Sequence, residues 1–311
     1  MTGIRVVSYN VRYANRNDHH DAWHERRDAV ARLIRFHHPD ILAVQEPVAD
    51  QRRDLRERLP EYALVGRGRD ADGDGEGCPI GVRTDRFQIA DHGTFWLSTT
   101  PESPSTDWGA THPRVATWAR VQPVRGSNSG RETDDSDRNV NDDSERRSFL
   151  IANTHFDHVS DRARRESARL LRRQLPEIAA NSGETASDDE TERSLPIVLA
   201  GDLNCTPESS PHRILTGDDV TDGIDTVENA DPSDTPRSLR DAATAADLRH
   251  GPTTSLTDFA RLIDGRRIDH VLVSPAIEVK SFATLTDRDD RGRYPSDHLP
   301  VLVKLTLPAD R

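Results

Sequence analysis

Residues 196–204 read Pro-Ile-Val-Leu-Ala-Gly-Asp-Leu-Asn. Ile197 to Ala200 form an unbroken apolar run, and the chain then turns abruptly polar at Gly201, Asp202 and Asn204. So short a run between turn formers reads as a strand buried on both faces, and this one delivers a carboxylate and an amide at its tip. The same pattern repeats outward along the chain. Ile4–Val11 carries Asn10 near its end, Ile41–Gln45 stops at Glu46 and Pro47, and Ser148–Thr154 leads into His155. Towards the C-terminus, Ile268–Val273 holds Asp269 near its start, and Ser296-Asp297-His298 precede the run Pro300–Leu307.

Further strand-like runs lie at Tyr62–Val65, Phe87–Leu97, Ala116–Val121 and Val279–Leu285. Helical spacing appears in Ala22–Phe36, stopped by Pro39, and in Asp161–Ala180, where Ala168, Leu171, Leu175 and Ile178 share a face opposite many arginines. About ten strands with few helices between them fit neither an all-parallel sheet nor an all-β barrel. They imply an α/β (α+β) architecture, a sandwich of two mixed β-sheets with helices outside. No repeat or linker divides the chain, so residues 1–311 are expected to form one domain.

Apolar residues supply 33% of the chain and charged residues 31%, with a net charge of −12. Of 42 basic residues only Lys280 and Lys304 are lysines. Few lysines and many aspartates suggest a halophilic protein; a GC-rich genome also favours arginine. The acidic balance argues only weakly against a nucleic-acid partner, since at roughly 1 M salt charges are screened within about 3 Å. Cys78 and Cys205 lack metal-type spacing and are expected as free thiols. With no basic-then-apolar leader before Ile4 and no membrane-length apolar run, the expectation is a cytoplasmic monomer with no inferable protein partner.

Residues 126–147 and 181–194 contain almost no apolar side chains and are expected as flexible acidic insertions, unable to offset their ordering entropy. Gly217–Pro236 is a third acidic segment of less clear character. Asp70–Glu76 resembles the first half of a calcium loop, but position 81 is Gly where a distal Glu is required, so a flexible acidic loop is the preferred reading.

Taken singly, an Asp or Asn after a strand is a turn former or helix cap, and a lone His a surface or core residue. Six such strand ends in one chain point to one edge where rigid strands hold a site together. Carboxylates there suit a hard cation, Mg²⁺ or Mn²⁺, that takes oxygen ligands. Arg114 is a candidate phosphate clamp, a surface guanidinium being the equal alternative.

The series SYN (8–10), QE (45–46), NTH (153–155), GDLN (201–204), RIDHVLVS (267–274) and SDHLPV (296–301) resembles the signature motifs of the endonuclease/exonuclease/phosphatase superfamily, in the same order and across nearly the whole chain. NVRYAN (10–15), TFWLS (94–98) and PRVATWA (113–119) resemble a bacterial and archaeal subgroup of uncertain substrate. The resemblance implies a deoxyribonuclease-I-like four-layer sandwich. It implies Glu46 as a metal ligand, with Asn10 binding directly or through water, and Asp297 as a further metal-site carboxylate. His298 would be the general base oriented by Asp269. Asp202 would orient the nucleophile or hold a second metal, Asn204 would bond the scissile phosphate, and His155 would stabilise the transition state.

The sequence departs from the pattern in places: Arg12 stands where abasic-site enzymes carry an acid, His270 where many members carry Tyr, and Asp157 and His158 extend the NTH motif. The expected activity is hydrolysis of a phosphodiester, nuclease-type, by metal-activated water, with nucleic acid one candidate substrate. A phosphomonoesterase on a small molecule or lipid headgroup is the alternative. A non-catalytic binding module is a third reading, disfavoured because every core position keeps a chemically competent residue.

Overall fold

The computed structural model describes residues 3–124, 147–180, 194–217 and 238–308. The elements are β1 (Ile4–Asn10), α1 (Trp23–His37), β2 (Ile41–Gln45), α2 (Ala49–Arg58), β3 (Tyr62–Val65), β4 (Ile80–Arg83), β5 (Phe87–Trp96), β6 (Val115–Pro123) and β7 (Phe149–His155). They continue with α3 (Asp161–Ala180), β8 (Ile197–Asp202), α4 (Ser210–Thr216), β9 (Arg240–Asp241), α5 (Ala242–Ala245), β10 (Leu248–His250), β11 (Asp269–Val273), β12 (Glu278–Thr284) and β13 (Val301–Thr306).

Two mixed sheets result, in the orders β10-β12-β13-β1-β2-β4-β3 and β5-β6-β7-β8-β11-β9. Their facing sides bury Val6, Ile41, Ile80, Ile151, Val198, Val271 and Val303 in one apolar core. Behind the first sheet, Val7, Tyr9, Leu42 and Val44 pack against Trp23, Leu33 and Ile34 of α1 and Leu55 of α2. Behind the second, Leu150, Ala152 and Leu199 pack against Leu171 and Leu175 of α3 and Ile214 of α4. The order helices, sheet, sheet, helices is the two-sheet sandwich with outer helices expected from the run of strands, and the four layers that the resemblance implies.

Cys78 and Cys205 are free and buried. The insertions at 126–147 and 181–194 and the acidic stretch from 217 to 236 fall, apart from Arg147, Ser194 and Gly217, outside the described residues. The loop of Asp70–Glu76 is anchored rather than loose. Gly68 and Gly77 bridge, and Arg52 donates to Pro47 O, Gly75 O and Gly73 O at 2.8 Å each. A guanidinium of α2 thus ties down the backbone of this loop, and the Glu76 carbonyl at the calcium-ligating position accepts from the Arg69 amide instead.

Candidate active site

Side chains alternate along a strand, and that alternation builds the site. Val6 of β1, Ile151 of β7, Val198 and Ala200 of β8, and Val271 of β11 all face the inter-sheet core. Stepping by two from them reaches Asn10, Asn153, His155, Asp202 and Asp269. Register completes the row, because His155 pairs with Asp202 and Asp202 with Asp269 across three adjacent strands. Glu46, one residue past β2, is on the wrong parity, and a left-handed backbone (φ 75°) turns it inward. Arg12 (φ 58°) and Asn204 (φ 48°) are bent the same way. Such strain in non-glycine residues gathers at functional sites.

Asn10 bridges two carboxylates, its Nδ2 donating to Glu46 Oε1 (2.9 Å) and Asp202 Oδ2 (3.0 Å). Its own oxygen accepts from the Arg12 amide, and the second Glu46 oxygen accepts from the Tyr13 amide. Ligand atoms of Glu46, His155 and Asp202 lie within 4.8 Å of one another, as do those of Asp202, Asp269 and His298. Burial and then the charge of Asp269 raise the Asp202 pKa, against the pull of His298. Asp269 Oδ1 is buried without a hydrogen-bond partner. Crowded carboxylates with an orphaned oxygen suit a hard divalent ion.

The two histidines sit in opposite electrostatic surroundings. Burial opposes a proton on His298, but Asp269, at 2.8 Å from Nδ1, and Asp202 outweigh it and hold the pKa well above the usual histidine range. Burial first, then Arg114 and His298, push His155 well below that range. The Asn204 amide donates to Phe156 O (2.9 Å), so its nitrogen is fixed, and the 3.0 Å contact to His155 Nε2 makes that atom an acceptor. His155 is therefore neutral with its hydrogen on Nδ1. Asn204, expected to bond phosphate, here spends both amide hydrogens within the protein.

Arg114 is no surface residue, being only 6% exposed. It bonds His158 Nδ1 at 3.1 Å, stands 3.9 Å from Glu76 and 3.8 Å from Asp157, and its buried Nε has no hydrogen-bond partner. Arg69 pairs with Glu76 at 2.9 Å on the same flank. A basic wall thus flanks His155, while Glu46 and Asp297 form the acidic side. Asp297 bonds Arg12 at 3.0 Å and Ser296 at 3.3 Å.

A profile of the Endonuclease/Exonuclease/phosphatase family matches residues 7–298. The chain belongs to this family. Its members are divalent-metal-dependent phosphoester hydrolases, and this chain is an enzyme of that class. Among solved structures, a family protein from Bacteroides thetaiotaomicron is 31% identical, with a TM-score of 0.78 and 98% of each chain covered. A mannosyl-6-phosphatase from the same organism is 30% identical, with a TM-score of 0.78, covering 98% of this chain and all of that one (100%). A Bacteroides vulgatus family protein is 32% identical, with a TM-score of 0.77 over 99% and 100% of the two chains. No curated protein matches the sequence.

The structure brings Asn10, Glu46, His155, Asp202, Asn204, Asp269, Asp297 and His298 together, and sequence reasoning did not single out several residues that brace them. Buried Arg26 of α1 donates to the carbonyls of Asp21, Val11, Arg12 and Pro295, joining β1 to the turn before Asp297. Ser296 Oγ donates to Asn10 O at 2.7 Å. Asn153 donates to Val44 O and Pro79 O and accepts from Gln45, tying the sheets together beneath the site. Arg26 gave no local signal among so many helical arginines, whereas Ser296, Asn153 and Gln45 lie inside the quoted motifs. Among the described residues no helix is long and apolar enough to cross a membrane.

Proposed function

We propose that this enzyme hydrolyses phosphomonoesters of small polar molecules, sugar phosphates among them. Arg114 carries the choice. A terminal phosphate presents more charge and one more non-bridging oxygen than a diester, and the buried Arg114 guanidinium, whose charge acts on His155, places positive charge on that side of the cleft. The mannosyl-6-phosphatase, a monoesterase at 30% identity, supports the same class. A nucleic-acid backbone could be tracked by the arginines of α3, but Arg164 and Arg165 pair with Asp161 and Arg169 with Glu166 on the same helix.

Glu46 and Asp202, bridged by Asn10, are the residues suited to hold a divalent ion, Mg²⁺ or Mn²⁺, which when bound supplies Lewis-acid stabilisation of negative charge on the phosphoryl group. His298 in its neutral form takes, at Nε2, which faces Asp202 at 3.8 Å, the proton of the water whose oxygen bonds phosphorus, while Asp269 fixes the Nδ1–H; the P–O bond to the leaving group breaks and the leaving alkoxide takes a proton from solvent. Asp269 also stabilises the imidazolium that forms. His155, propped by Asn204, bounds the phosphate on the far side, and Arg114 grips its non-reacting oxygens.

The test compares a chromogenic monoester, mannose 6-phosphate, the matching diester, plasmid DNA and single-stranded RNA with Mg²⁺ or Mn²⁺. Monoester kcat/KM should exceed diester kcat/KM at least about tenfold. Arg114→Ala should cost about 10²-fold on the monoester, the scale of one lost transition-state donor, and far less on the diester. Preference for the diester or nucleic acid would reverse the assignment to the nuclease-type activity.

A further inference from the structure

The position where Arg12 departs from the motif is braced on both its backbone and its side chain. Its amide donates to Asn10 Oδ1 at 2.9 Å, and its carbonyl accepts from Arg26 at 2.8 Å and Gln51 at 2.9 Å. These bonds hold the left-handed backbone that no glycine relieves. Asp18 takes Nε at 3.2 Å and Nη2 at 3.1 Å, leaving Nη1 aimed at Asp297 Oδ2, 3.0 Å away. The Tyr13 ring lies 5.0 Å from the guanidinium carbon. A flexible side chain is thus fixed at both ends.

Given the carboxylate metal site proposed above, on which this inference rests, we propose that Arg12 is a built-in cation of the cleft, which occupies the Asp297 side and restricts the enzyme to one divalent ion at Glu46 and Asp202. A second ion on Asp297 would have to displace a guanidinium that Asp18 and the backbone braces keep in place. Unlike a metal ion, a guanidinium cannot be stripped by a chelator or lost at low metal concentration, so Asp297 stays neutralised whether or not the other site is filled.

The test measures Mn²⁺ bound per chain, on the metal-free full-length protein, by calorimetry and by the electron paramagnetic resonance signal of free Mn²⁺. Wild type should bind one ion, and Glu46→Gln should weaken that binding at least about tenfold. Asp297→Asn should still bind one, since Asp297 is the partner of Arg12 and not a required ligand. Arg12→Gln, checked for folding by circular dichroism, should bind two, and Arg12→Gln/Asp297→Asn should return to one. Two ions in wild type, or loss of the single ion in Asp297→Asn, would overturn the role of Arg12 while leaving a metal-dependent phosphatase intact. One ion in folded Arg12→Gln would overturn it equally. If Arg12→Gln does not fold, the wild-type and Asp297→Asn counts decide alone. No binding in wild type would bring down the metal site and this inference together.

Discussion

His298 and Asp269 are separated by 28 intervening residues, yet they meet at 2.8 Å, because Asp269 opens β11 on the inter-sheet face and the turn before β13 lays His298 over it. Asp269 raises the histidine pKa, so it both orients the base and strengthens it. Asp269→Asn should lower kcat by about 10²-fold, the usual scale for acid–base assistance. It should also move the acid limb of the kcat/KM profile to lower pH, because removing a neighbouring negative charge lets the imidazolium lose its proton more readily. A limb that stayed in place, or moved to higher pH, would show that His298 is not the titrating base. The residue scale is also where the sequence was most legible. Asp269, His298, Asp202 and His155 stand at strand ends, where short apolar runs mark them. Arg26 and Arg69 do the bracing from a helix and a loop, where nothing nearby distinguishes them from other arginines.

At the scale of elements, parity explains both what was legible and what was not. β1, β2, β7, β8 and β11 are apolar on both faces, so a polar residue of core parity stands out against them. α2 (ADQRRDLRER) went unread because its buried positions are Gln51, Arg52 and Leu55. Gln51 and Arg52 spend their polar ends on loop backbone, so no apolar stripe exists to be seen. β4 is only four residues, too brief for a periodicity, yet it lies between β2 and β3. The polar residues within strands have their own work. Asn153 joins β7 to the carbonyls of Val44 and Pro79 in the other sheet. Asn153→Ala should therefore cost about 3 kcal/mol, since two buried carbonyls lose their donor, read as a lower midpoint in urea. A loss below about 0.5 kcal/mol would mean that the sheets register by apolar packing alone. Gly201 is a second such point, since a Cβ there would lie 2.2 Å from Thr154 O. Gly201→Ala should push β8 away from β7 and lower both stability and activity by displacing Asp202.

For the molecule as a whole, the cleft sets a conflict between stability and function that the proposed ion would resolve. Asp202 and His298 both have raised pKa values in the fold, the first from burial and Asp269, the second from Asp269 and Asp202 prevailing over burial. A raised pKa means the fold prefers the protonated form, so the stability it contributes is present at low pH and is lost as pH rises through the folded value. His155 works in the other direction, but its depressed pKa matters only below the ordinary histidine range near 6.5. Between pH 7 and 8.5 the first two groups therefore govern. Thermal unfolding of chelated protein should show a Tm that falls across this window. Added Mg²⁺ replaces the missing positive charge, and at about 100 times its Kd an ion contributes about 2.7 kcal/mol. The Mg²⁺-induced rise in Tm should thus be greater at pH 8.5 than at pH 7. Asp202→Asn should flatten the slope and reduce the response to Mg²⁺, because the carboxylate at the centre of the crowding is gone. A metal-free Tm that rose with pH, or a Mg²⁺ effect that shrank, would mean that the carboxylates of the cleft are not the uncompensated charge for which the fold requires an ion.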